Sequence, residues 1–185
     1  MSYVLVFTHC LIGVVFLASG LSKLGGRRRF REFASSVADL RLLPERLVTP
    51  VAAAVAVGEL AVPALLVAAS ARSLPVAALT LAALALAGVL LSAFTVAIVV
   101  VLHRGTPASC RCFGGGTAAP FGWHHVARNA ALALVAGLGV HAALRSPILD
   151  PQVVLLGAPP ALVAALVIVR LDDIAELFTP LSKAR

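Results

Sequence analysis

The sequence predicts an all-α membrane protein: a compact bundle of transmembrane helices, with an amphipathic helix at the interface after the first span. Three observations carry this. Hydrophobic residues make up 61% of the 185-residue chain and charged residues only 12%. Soluble domains are nearer 45–50% and about 25%. Mean hydropathy is +1.02, and so short a chain cannot hide that much apolar surface in a core of its own. Finally, the apolar residues gather into long stretches, and about 20 of them cover the hydrocarbon of a bilayer as a helix. The formal charge of +7 does not point to nucleic acid. The basic residues lie in short segments between apolar stretches, where they anchor and orient a membrane protein. Membrane lipid is the expected surrounding, and a multi-pass place in the cell membrane the expected location.

Five candidate spans follow in order: 3–21, 50–71, 75–102, 126–144 and 153–170. No basic segment precedes the first and no small-residue cleavage site follows it, so it reads as a retained helix, not a signal peptide. Next comes a basic segment with Lys23, Arg27, Arg28, Arg29, Arg31, Arg41 and Arg46. In it Phe30, Phe33, Val37 and Leu40 recur at helical spacing. That pattern suits an amphipathic helix lying in the interface, its basic residues towards lipid phosphates. The plainer reading is a charged loop that only sets topology. Spans two to four are rich in small residues (Val51-Ala52-Ala53-Ala54, Leu81-Ala82-Ala83-Leu84-Ala85), which lets membrane helices pack closely. The fifth span is short and contains Pro159-Pro160. It is expected to kink, tilt or re-enter instead of crossing cleanly.

With five spans, segments 22–49, 103–125 and 171–185 share one side. Together with Arg128 and Arg170 at their helix ends, that side holds 13 of the 15 Lys and Arg. The positive-inside rule then places the N-terminus outside and these segments in the cytoplasm. In either orientation, the basic segment after Lys23 faces the loop between spans three and four.

That loop carries the most informative motif, Ser109-Cys110-Arg111-Cys112-Phe113-Gly114. The thiolate is the reactive form of cysteine, and positive charge nearby favours it. Arg111 lies between the two cysteines, and His103, Arg104, His124 and His125 flank the loop. The N-terminus of span four adds a positive helix end. A bond between Cys110 and Cys112 would close a tight ring, and strain of that kind makes a disulfide labile. Three readings stand together: a redox pair, two incidental cysteines, and a metal site. The last would use Cys110 and Cys112 with two of His103, His124 and His125, for zinc or copper. The Cys-x-Cys spacing is not that of a zinc finger.

Glu59 lies about nine residues into span two, roughly 13 Å deep at 1.5 Å per residue. An acid at that depth is expected to be paired or to belong to a polar path. Lys23 and Arg128 are the partners on the matching side. A structural lock and a catalytic or proton-handling role weigh equally. Cys10, in span one, reads as a small hydrophobe; Tyr3 and Trp123 read as interface anchors.

Taken together, these residues resemble the MauE family of membrane proteins, which is related more distantly to DoxX. The resemblance covers about residues 3–140. It rests on Gly13 through Gly20-Leu21-Ser22-Lys23-Leu24, on Phe30 and Phe33, on Glu59, and on Arg104-Gly105. Cys110-x-Cys112-Phe113-Gly114 and Arg128-Asn129 complete it. It implies a four-helix membrane domain over 1–145, similar to vitamin K epoxide reductase, with 146–185 an added hydrophobic helix and a short polar tail. It also implies a thiol–disulfide redox protein that assists disulfide formation or maturation of a partner, such as a disulfide-rich subunit of methylamine dehydrogenase. A quinone is the electron acceptor it implies. Under this reading Cys110 and Cys112 carry the chemistry with Arg111 and Glu59. Lys23, Arg128, Asn129, Phe113 and Gly114 support them. Two features depart from the pattern. The fifth span exceeds a four-helix core and offers a docking helix. Disulfide chemistry on exported proteins also asks for thiols outside, whereas the charge count places them inside. The rival readings are a non-enzymatic accessory subunit with a docking or metal-holding loop, and a small-molecule or lipid carrier gated by the interfacial helix.

Overall fold

The computed structural model describes residues 2–70, 76–105, 122–145 and 151–171. They form six helices and, among the described residues, no strand: α1 (Ser2–Leu24), α2 (Arg27–Asp39), α3 (Glu45–Ser70), α4 (Val76–Arg104), α5 (Trp123–Arg145) and α6 (Pro151–Val169). Five of these, all but α2, are long and apolar enough to cross a membrane. The protein is an all-α, multi-pass integral membrane protein. The Cys110–Gly114 motif lies outside the described residues.

Helices α1, α3, α4 and α5 close a four-helix ring: α1 packs on α3 and α5, and α4 packs on the same two. The core between them is built from Ile12 and Phe16 of α1, Val62 and Leu66 of α3, Leu84 of α4 and Leu132 of α5, all buried. Their outward faces keep large apolar residues exposed, Val57, Val67, Val89 and Leu134 among them. That is the pattern of a bundle whose solvent is lipid. The small residues do what small residues do in membranes, letting backbones approach. A Cβ on Gly139 of α5 would lie 2.8 Å from Thr8 Oγ1 of α1 and 2.9 Å from Leu84 Cδ1 of α4. Three helices therefore converge at that one glycine.

The fifth span is not broken at its prolines. Helix α6 runs through Pro159-Pro160 as one continuous 19-residue element. It packs along α1. Gly157, Ala161 and Ala165, four residues apart, are all buried, and Gly157 lies against Val6. The two prolines sit on the exposed side, so their rings do not obstruct that contact.

Helix α2 is the amphipathic segment foreseen in the sequence. Phe33 is its buried residue, while Arg27, Arg28, Arg29 and Arg31 are exposed. Gly26 begins it with φ 135°, a backbone region that favours glycine, and this lets the chain turn sharply out of α1. Arg41, with φ 51°, turns it again towards α3.

Candidate functional site

The site begins with a close approach of two helices. On α1, a Cβ at Gly20 would lie 2.5 Å from Leu60 Cδ2 of α3 and 3.5 Å from the Leu60 backbone nitrogen. The absent side chain thus brings α3 against α1 at this level. Glu59, next to Leu60, consequently meets Lys23, less than one helical turn beyond Gly20. The Lys23 ammonium donates to Glu59 Oε1 at 2.6 Å, to Glu59 Oε2, and to Ser19 Oγ at 2.7 Å. An ammonium has three donors, and all three are used. Ser19 and Lys23 are four residues apart on α1, and residues so spaced lie over one another on a helix face.

Both members of the pair are buried: Lys23 is 2% exposed and Glu59 3%. Taking two charges out of water is offset only where hydrogen bonds satisfy them, which is the arrangement seen. Aromatic rings close the remaining sides. The ring centroid of Phe33, from α2, lies 4.8 Å from Nζ, and that of Phe94, from α4, lies 6.0 Å away. A cation at such distances is held by the ring face. The amphipathic helix therefore covers the pair with its one buried residue.

Arg128 and Asn129, in the second turn of α5, are each 7% exposed. They line one cavity with Ser19, Lys23, Glu59 and Phe94, which measures about 40 Å³. A water needs about 10–15 Å³ by this measure, and a cavity that takes benzene is about 150 Å³. The space is water-sized. A quinone ring does not fit it in this conformation.

The structure thus brings together Lys23, Glu59, Arg128 and Asn129 from three helices. Cys110, Arg111, Cys112, Phe113 and Gly114 lie outside the described residues, but their segment leaves α4 and enters α5 at this end of the bundle. The helix ends touch there: His103 and Trp123 make an edge-to-face contact with centroids 6.0 Å apart. Of the histidines considered for metal, His125 is buried and its Nδ1 accepts from the Gly122 backbone N–H at 3.2 Å. It thereby caps the start of α5. His124 packs on it, with ring centroids 4.0 Å apart. Among the described residues no three His, Cys, Asp or Glu side chains are grouped to hold a metal. Sequence reasoning missed Ser19 and Phe94. Ser19 carried a faint signal, a hydroxyl four residues before a lysine in an apolar helix. Phe94 carried none, being one apolar residue among many in α4.

The family described as methylamine utilisation protein MauE matches residues 1–142. The chain belongs to the MauE family. The match runs from α1 into α5 and takes in every residue of the buried site, while α6 lies beyond it. The methylamine utilization protein MauE of Paracoccus denitrificans is 34% identical over 166 residues, covering 82% of this chain and 77% of that protein. Its counterpart from Paracoccus versutus is 42% identical over 134 residues, covering 72% and 66%. No solved structure matches the chain.

Proposed function

We propose that this chain is a membrane accessory protein of a redox system, and that it exchanges disulfides with a partner protein through Cys110 and Cys112. The observation that supports this reading most is the placement of the buried polar site. A satisfied Lys23–Glu59 pair, with Arg128 and Asn129 around a water-sized cavity, lies at the bundle end where the Cys-bearing segment begins and ends. Ionisable side chains within a membrane bundle are costly and commonly mark a functional site.

In the exchange, one partner thiolate attacks a sulfur of the Cys110–Cys112 disulfide and forms a mixed disulfide. The second partner thiolate displaces it. The partner leaves oxidised, the two electrons stay on Cys110 and Cys112 as thiolates, and the partner's two protons are released. The reverse direction reduces the partner. Arg111 and the positive end of α5 favour the thiolate. Gly114 leaves room for the partner's backbone. Glu59 holds or passes a proton through cavity water, and Lys23, Arg128 and Asn129 fix its position. The domain division follows the same logic: residues 1–145 carry the chemistry and 146–185, with α6, offer the docking helix. The Paracoccus relatives are named for methylamine utilisation, and we assign this chain to such a system.

The test is replacement of Cys110 or Cys112 by Ser, with Cys10→Ser as control, in native cells growing on methylamine. Either loop variant is expected to abolish growth while the protein accumulates normally in the membrane. Growth with a Cys110→Ser or Cys112→Ser protein would overturn the exchange reading. One observation favours a second reading, a non-enzymatic accessory subunit: Lys23 spends all three donors inside the protein, as a purely structural lock does. That reading predicts loop variants that work and Lys23 variants that do not assemble.

A further inference from the structure

The corner where α1 hands over to α2 holds a second feature, separate from the buried site. Leu24, Gly26, Arg27, Phe30 and Arg31 line an open groove of about 520 Å³. That is within the range of small-molecule sites, about 300–1,000 Å³. From its geometry we propose that this groove binds one anionic phospholipid.

Four observations carry the assignment. First, Arg27 and Arg31 are one helical turn apart and so share a face. Neither side chain makes an ion pair or hydrogen bond among the described residues. Arg28, on another face of the same helix, is paired with Glu32 at 3.0 Å. Among the described residues, the two groove cations have no anionic side chain beside them. Second, the remaining lining is apolar. Leu24 is the last residue of a membrane span and 45% exposed, and Phe30 is half-buried. Third, the end of a span places the groove at the depth of lipid headgroups. Fourth, Phe33 is buried against the bundle, which fixes α2 and so the backbone positions from which the two arginines extend. A guanidinium matches phosphate oxygens two at a time. A ligand at this depth that offers a phosphate to Arg27 and Arg31 and a hydrocarbon chain to Leu24 and Phe30 is a phospholipid. The start of α2, which has no side-chain cap, adds its own positive end. Arg29 adds a further cation, folded back over Gly25.

The experiment is native mass spectrometry of the full chain in detergent, titrated with phosphatidylglycerol or with phosphatidylcholine of the same acyl chains. The expected result is one retained phosphatidylglycerol per chain, held in preference to phosphatidylcholine. Removing both charges, as Arg27→Gln with Arg31→Gln, is expected to weaken it by about tenfold or more, the order for two interfacial cations. Arg28→Gln is expected to leave it. The two altered side chains are exposed, so elution volume and helix content should match the native protein. Equal retention of phosphatidylcholine, or unchanged binding in the double variant, would overturn the assignment. Displacement of the lipid by excess inorganic phosphate would do so as well, since it would mark a site for a bare anion.

Discussion

Lys23 and Glu59 stabilise the bundle only together. An ammonium left without its carboxylate in a membrane interior has no solvent to turn to. Removing one member of a buried pair costs about 3–5 kcal/mol, whereas replacing both with apolar residues is often neutral. Glu59→Leu alone should therefore lower the thermal midpoint in detergent markedly. Lys23→Met with Glu59→Leu should recover most of it, and a double-mutant cycle measures the difference. If the site serves chemistry, the recovered double variant remains inactive; full activity would reduce the pair to a structural lock. Lys23 and Glu59 were legible in the sequence because a charge in an apolar stretch is conspicuous. That Lys23 would be one of two candidate partners, with Arg128, was legible because both lie on the matching side of the membrane. The third acceptor, Ser19, and the ring of Phe94 were not, and Phe33 was legible only as part of an apolar helix face, not as a cover for the cation. Serine and phenylalanine are ordinary residues in such helices, and only the packing distinguishes those that face the cation.

Among the helices, glycines separate contact from freedom. Gly139→Ala must displace Thr8, whose hydroxyl is already committed to the Leu5 carbonyl at 2.9 Å, and the buried Leu84. A loss of about 1–3 kcal/mol is expected, as for other overpacked sites. Gly88 and Gly137 have nothing within 4 Å of an added Cβ. Alanine there should be neutral or should raise stability by up to about 1 kcal/mol, the helix-propensity difference. Unfolding of the three variants side by side checks both expectations. At this scale the number and order of spans were readable from hydropathy alone. Their ends were not. Helix α3 starts at Glu45, five residues before the apolar run, because hydropathy marks the hydrocarbon and not the helix. Helix α4, with 29 residues, is about 44 Å long and overruns a core of about 30 Å for the same reason. Pro159-Pro160 lie within one continuous helix, since membrane helices tolerate proline where local adjustments and neighbouring groups re-satisfy the freed backbone.

For the whole molecule, charge and chemistry pull in opposite directions. The side that carries the site holds 13 of the 15 Lys and Arg, which directs it to the cytoplasm. Disulfides persist outside. The charge bias predicts that a membrane-impermeant maleimide reaches Cys110 and Cys112 only after cells are opened, so that the pair exchanges with cytoplasmic thiols. Labelling of intact cells would instead place the exchange on the outer side, with an exported partner, and would mean that the bundle inserts against its charge. Disulfide exchange through Cys110 and Cys112 is open to the protein in either orientation. The most direct test equilibrates the purified protein over a series of thiol–disulfide buffers and counts alkylated cysteines by mass. Cys110 and Cys112 are expected to lose reactivity together as a reversible two-electron couple, while Cys10 remains a thiol throughout. Three cysteines that stay alkylatable under the most oxidising buffer would contradict disulfide exchange.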